Sequence, residues 1–168
     1  FTDRTDATGT YRFSTPNVLP LRALNWVGRL IRKDGTSIEV DLMPKASSND
    51  VVVMNYEIDA NGKVSGDLKR QRTDYNAMIF REKVVDVKED IYLEKLENEN
   101  NKIEINEYSR TSEKDLKAPI VEMFSYSGSN FSEIIAGSIY INPMLFFAVE
   151  QNPFKQENRE YPIDYGFP

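Results

Sequence analysis

Neither cysteine nor histidine occurs in the 168 residues. Their absence removes Cys–His and Ser–His nucleophilic catalysis, histidine general-base chemistry, tetrahedral zinc sites and disulfide bonds. A Ser–Lys pair or a two-carboxylate mechanism survives that exclusion. The redox compartment stays open, because a chain without cysteine suits cytosol and periplasm equally. Long apolar runs are missing as well. Nothing approaches the roughly 20 residues of a membrane-crossing helix, and the longest run, MLFFAV at residues 144–149, is expected in a core. The opening residues carry no secretory-signal pattern. Positive charge is in deficit, with 21 Lys and Arg against 27 Asp and Glu for a net −6. A nucleic-acid or anionic-membrane surface needs clustered cations and is not expected. The densest basic stretch, LKRQR at 68–72, reads as a solvated strand edge whose charges discourage edge-to-edge pairing. The eight glycines are scattered, with no phosphate-binding loop among them.

What is present is enough for a fold. The chain is 40% hydrophobic and holds nine Phe and nine Tyr, so a packed core rather than disorder is expected. Residues 1–24, with Pro16 and Pro20 and little periodicity, read as an extended arm. Alternating runs flank KDG at 33–35, and a second pair flanks ANG at 60–62. Each is a hairpin signal. In the second, Val52, Met54, Tyr56 and Ile58 share the face expected to be buried, since strand side chains alternate. Helical spacing follows at 74–84, where Tyr75, Met78, Ile79 and Glu82 fit one stripe behind Thr73 or Asp74 as N-cap. A second helix is expected at 88–97, with Asp86 and Glu89 as a capping box and Tyr92, Leu93 and Leu96 as its stripe. Strands are expected near 26–32, 37–43, 51–59, 63–71, 102–109, 119–127 and 137–142, with 111–118 and 127–133 as loops. No internal repeat is visible. Strands, then two helices, then strands predict an α+β domain at 25–150, an antiparallel sheet with two short helices on one side. A β-sandwich is the alternative. Residues 151–168 read as an extended, proline-containing linker.

Candidate chemistry is sparse. DANGKVSGD at 59–67 has the outline of a calcium loop, but Lys63 would stand where the metal sits and Arg70 where a Glu ligand is needed. A hairpin turn is the better reading. The carboxylate pairs Asp86/Asp90 and Glu89/Asp90 could serve acid–base chemistry, or could simply favour a helix dipole. Tyr126 and Phe131, and likewise Tyr161, Tyr165 and Phe167, could stack on a sugar or peptide, although packing is the commoner role of such rings. No cofactor and no metal are expected. TDATGTY at 5–11 can be a turn, because Asp6 can bond the backbone two residues on and Gly9 tolerates positive φ.

The same stretch has a second reading. Asp6-Ala7-Thr8, Leu19-Pro20, Leu24-Asn25 and Gly28-Arg29 resemble the end of the transglutaminase-like, papain-type core of multidomain bacterial envelope proteins, where it passes into a β-rich domain of unknown function. NPFKQENREYPIDYGFP at 152–168 resembles the junction with that family's C-terminal domain. The resemblance implies that Asp6 stands at the position of the acid that orients the catalytic His, although Thr5 replaces an apolar residue before it and Asp3 lies close by. It also implies that Cys and His lie upstream, that this segment is not itself an enzyme, and that its partners are the core before it and the β-rich domain after it. The expected role is that of a non-catalytic accessory domain in the bacterial periplasm or envelope. An independent peptide- or glycan-binding or adhesion module is the alternative. Starting at Phe1, the chain reads as a segment of a longer protein, with residues 19–31 running into the sheet and Trp26 or a neighbour buried.

Overall fold

The computed structural model describes residues 18–44, 47–84, 86–100 and 103–148. Among them are eight strands and two α-helices. They are β1 (Val27–Ile31), β2 (Ser37–Asp41), β3 (Asp50–Ile58), β4 (Val64–Arg72), α1 (Asp74–Val84), α2 (Glu89–Glu99), β5 (Glu104–Thr111), β6 (Ile120–Gly128), β7 (Ser132–Ile135) and β8 (Ser138–Ile141). The central sheet is four-stranded in the order β3-β4-β6-β5. Both β4 and β5 run antiparallel to β6, which lies between them. The connection through α1 and α2 therefore carries the chain across one face of the sheet, and the fold is α+β. The sandwich alternative is excluded.

Turn chemistry explains the hairpins. In β1–β2, the Asp34 carboxylate accepts from the Thr36 N–H at 3.0 Å and its hydroxyl at 2.7 Å, and Gly35 takes φ 85°. In β3–β4, Asp59 accepts from the N–H groups of Asn61 and Lys63, both at 2.8 Å, while Gly62 takes φ 78°. The stretch with a calcium-loop outline is thus this turn and the start of β4, and its leading carboxylate is occupied by its own loop. Of residues 127–133, expected as loop, 129–131 lie outside the strands, while 127 and 128 end β6 and 132 and 133 open β7, which pairs with β8 around Ala136 and Gly137 at φ 51° and 80°. That small hairpin escapes the composition signal because Ser and Asn surround it.

Pleating sorts the central sheet into two faces. Val64, Leu68 and Arg72 of β4 are buried on one side with Ile120, Glu122, Phe124 and Tyr126 of β6, while Lys69 and Met123 on the other side are exposed. The covered face carries the main core, which Val64, Leu68, Ile103, Phe124, Tyr126, Phe131 and Leu145 build together with half-buried Phe146 and Phe147. Val52, Met54 and Tyr56 pack against it as expected, whereas Ile58 stays more open. The residues at 68–72 do not form a sheet edge. β4 is central, and its two arginines point inward.

Helix α1 covers one end of that face, with a different stripe from the one its spacing suggests. Ala77, Phe80 and Val84 pack around Ile120, and Tyr75 and Met78 pack on Leu24; Ile79 and Glu82 are exposed. Two separate contacts bury two sides of the helix, so a single stripe anchored on Ile79 has the wrong phase. Its first turn is held from outside. The Ser48 hydroxyl accepts from the Asn76 N–H at 2.9 Å and donates to the Thr73 carbonyl at 2.9 Å. Thr73 holds the N-cap position by its carbonyl, while its own hydroxyl turns to the Asn49 N–H. In α2, Tyr92, Leu93 and Leu96 are half-buried as expected. The expected capping box is not used there: Lys88 holds the N-cap, without a side-chain bond. Arg81 is 2% exposed and pins the 112–118 loop through Nη2, which donates to the carbonyls of Ser112, Asp115 and Ala118.

Residues 19–31 do not enter the central sheet. Leu24 is buried, but β1 pairs with β2 in a separate two-stranded unit, and Trp26 stands 71% exposed. The expectation that this stretch joins the sheet therefore fails. Val27, Leu30 and Ile31 of β1 find no second layer among the described residues.

Candidate functional site

Glu122 lies at the centre of the most elaborate polar cluster. Register places it opposite Arg70 on β4 and Arg110 on β5, and the pleat turns it under the helices, where 2% of it is exposed. One carboxylate oxygen, Oε1, accepts from the hydroxyls of Tyr92 at 2.7 Å and Tyr108 at 2.8 Å. The other, Oε2, accepts from Nη1 of Arg72. The Arg72 guanidinium lies over the Phe80 ring, 4.3 Å from its centroid. Burial, and then the charge of Glu122, push both tyrosine hydroxyls well above the usual phenol range. Beside this group, Arg70 grips Asp50 through Nε and Nη2 at 2.8 and 2.6 Å. Burial would raise the Asp50 carboxyl, but the Arg70 bond and the charges of Arg70 and Arg72 outweigh it and hold it low. Arg110 pairs with Glu113 and donates to the Tyr108 hydroxyl at 3.3 Å. Both oxygens of Glu122 are thus engaged, and the cluster ties α2, β4, β5 and β6 together. Buried charge is tolerated when it is paired and hydrogen-bonded in this way.

The second feature is apolar. Trp26, Val27 and Ile31 are 71%, 66% and 71% exposed, and Leu30, Ile38 and Met43 are also open. This hairpin hydrogen-bonds along its own ladder, extended by the Leu42 N–H donating to the Trp26 carbonyl at 3.1 Å. It is rooted by Leu24 against Tyr75 and Met78, and by the Leu19 N–H donating to the Tyr75 hydroxyl at 3.1 Å. Alternation puts Val27 and Ile31 on one face of the hairpin, with Arg29 and Glu39 between them, and the Leu30–Ile38 pair on the other, so apolar side chains are open on both faces. A lone two-stranded hairpin is marginal in water, and exposed apolar surface of this kind marks an interaction site.

Asp6 and Asp3 lie outside the described residues, as do Tyr161, Tyr165 and Phe167. Tyr126 and Phe131 are core residues; burial pushes the Tyr126 hydroxyl up to about 12, aided by Tyr56 and Asp67. Asp86, Glu89 and Asp90 are exposed around the start of α2, and Asp90 accepts from the Ile91 N–H. Sequence reasoning missed Glu122 and Arg72. The hairpin register alone would have set Asp50 opposite Arg72, a sign that arginines spaced two apart face acidic partners. Glu122 carries no such local signal.

Among the described residues no group of three or more Asp and Glu is arranged to hold a metal, and no helix is long and apolar enough to cross a membrane. Comparison with protein-family models, with curated proteins and with solved structures returns no match.

Proposed function

We propose that this chain is a non-catalytic interaction domain that docks through its β1–β2 hairpin onto another folded unit. The observation that carries this reading is the exposure of apolar side chains on both faces of a hairpin with no second layer among the described residues, Val27 and Ile31 on one face and Leu30 and Ile38 on the other, with Trp26 beside them. Covering them would remove apolar area from water at about 25 cal/mol per Å². On the resemblance described above, the partner is a transglutaminase-like core preceding the domain in a bacterial envelope protein. Asp6 then belongs to that core's triad. The absence of Cys and His and the full engagement of Glu122 support a role without catalysis.

Hydroxyl-radical footprinting tests the docking. Trp26 and Met43 should be labelled readily in the 168-residue chain and protected in the longer parent, and Ile31→Asp should restore labelling there. Equal labelling in both would refute the docking and favour an independent binding or adhesion module. Hydrolase or transferase activity in the purified chain, lost on changing one carboxylate, would overturn the non-catalytic reading.

A further inference from the structure

Beside the Glu122 cluster, a cleft of about 170 Å³ opens between the two helices and the 3-10 turn Leu145–Phe147. Its floor is the covered face of β4 and β6, and its lining inverts the charge of the whole molecule. Arg70, Arg72, Lys83 and Lys95 face two carboxylates, Glu99 and Glu122, in a chain of net charge −6. Glu122 is already saturated by Arg72 and two hydroxyls. Glu99 meets Lys95 only loosely, at 3.5 Å, with both side chains more than half exposed. Lys83 has no ion pair among the described residues. Each arginine keeps one terminal nitrogen outside its protein hydrogen bonds, Nη1 of Arg70 and Nη2 of Arg72. Asp50, behind the cleft wall, already balances Arg70, so the positive charge left over is that of Lys83, exposed at the mouth of the cleft.

The walls between those cations are rings. Phe80 lies under the Arg72 guanidinium, and Phe147 lies 5.8 Å from that of Arg70; Tyr92, Phe124 and Phe146 add further rings to the lining. Guanidiniums stacked on aromatic faces present charge and apolar surface side by side. A bare inorganic anion would use the charge and leave the rings in water. A neutral hydrocarbon would use the rings and leave the charge unanswered. The volume is on the order of that of a cavity known to hold one benzene molecule, so the space admits a single ring-sized group.

We propose that this cleft is a binding site for a small organic monocarboxylate with a ring-sized apolar body, its carboxylate turned to Arg70, Lys83 and Lys95 and its body laid against Phe80, Phe146 and Phe147. The site is separate from the β1–β2 hairpin and does not depend on the docking reading.

Benzoate titrated into the 168-residue chain, followed by calorimetry and by shifts of backbone amide resonances, is the test. Saturable binding with shifts centred on α2, β4 and residues 145–147 is expected. Benzyl alcohol and inorganic phosphate should each bind at least about tenfold more weakly, one lacking the charge and the other the ring. Lys83→Ala with Lys95→Ala, both at exposed positions, should weaken benzoate binding about three- to tenfold, and added salt should do the same. Leu96→Trp should fill the cleft and abolish binding while circular dichroism stays native. Should that variant misfold, the lysine pair still decides the matter. The proposal is overturned if benzoate does not saturate, if benzyl alcohol or phosphate matches it, or if the lysine variant binds it unchanged.

Discussion

Replacing Glu122 by Ala should be among the most damaging single changes available to this domain. The substitution leaves the Arg72 guanidinium, 8% exposed, without the carboxylate bound to its Nη1. Breaking a buried ion pair from one side costs about 3–5 kcal/mol. The hydroxyls of Tyr92 and Tyr108 lose their acceptor too, but both tyrosines are only half-buried, so water replaces much of that loss. Arg72 keeps its position over Phe80 and its approach to Asp50 at 3.8 Å, which limits the damage further. The expected cost therefore falls at the low end of that range, about 3 kcal/mol, still a large share of the roughly 5–15 kcal/mol that stabilises a domain. Urea unfolding followed by circular dichroism measures it. Trp26 fluorescence does not, because the only tryptophan sits on the exposed hairpin. Pairing Glu122→Leu with Arg72→Met should recover half or more of the loss, since an apolar replacement of both partners avoids the stranded charge. A cost under about 1 kcal/mol for Glu122→Ala, the scale of an exposed pair, would refute the cluster as a buried lock. So would a double variant as unstable as the sum of its singles.

The other expectations concern backbone and pH. Gly66→Ala should destabilise by about 1–3 kcal/mol or more, because its Cβ would sit 2.1 Å from the Asn55 carbonyl oxygen and 2.7 Å from the Tyr56 Cα. Gly28→Ala meets only the flexible Leu42 side chain and should cost far less in the same denaturation assay. Ser48→Ala removes the outside cap of α1 and should cost about 0.5–2 kcal/mol, with faster amide exchange confined to the first turn of that helix. The folded state holds the phenols of Tyr92 and Tyr108 above their ordinary value of 10.0. Their stabilising contribution is then complete below pH 10 and is lost as pH rises beyond it, because the unfolded chain ionises first. Tyr92→Phe with Tyr108→Phe should flatten that alkaline decline in melting temperature, and an unchanged slope would contradict the assignment.

Local grammar was enough for much of this protein. Asp-Gly and Asn-Gly turns, period-two runs and two stretches with helical spacing place seven of the strands and both helices near their observed positions, because those signals act within a few residues. Cross-chain facts were decided only by tertiary structure. LKRQR looks like a solvated edge until β6 pairs beside β4 and brings Glu122 to Arg72. The buried sides of α1 depend on Leu24 and Ile120, each far from it in sequence, so no single helical stripe could describe them. Trp26 follows the opposite logic. Its apolarity predicts burial, yet the hairpin that carries it lies outside the four-stranded sheet. Composition sets which side chains seek a dry neighbour, but only the assembled fold determines which of them find one.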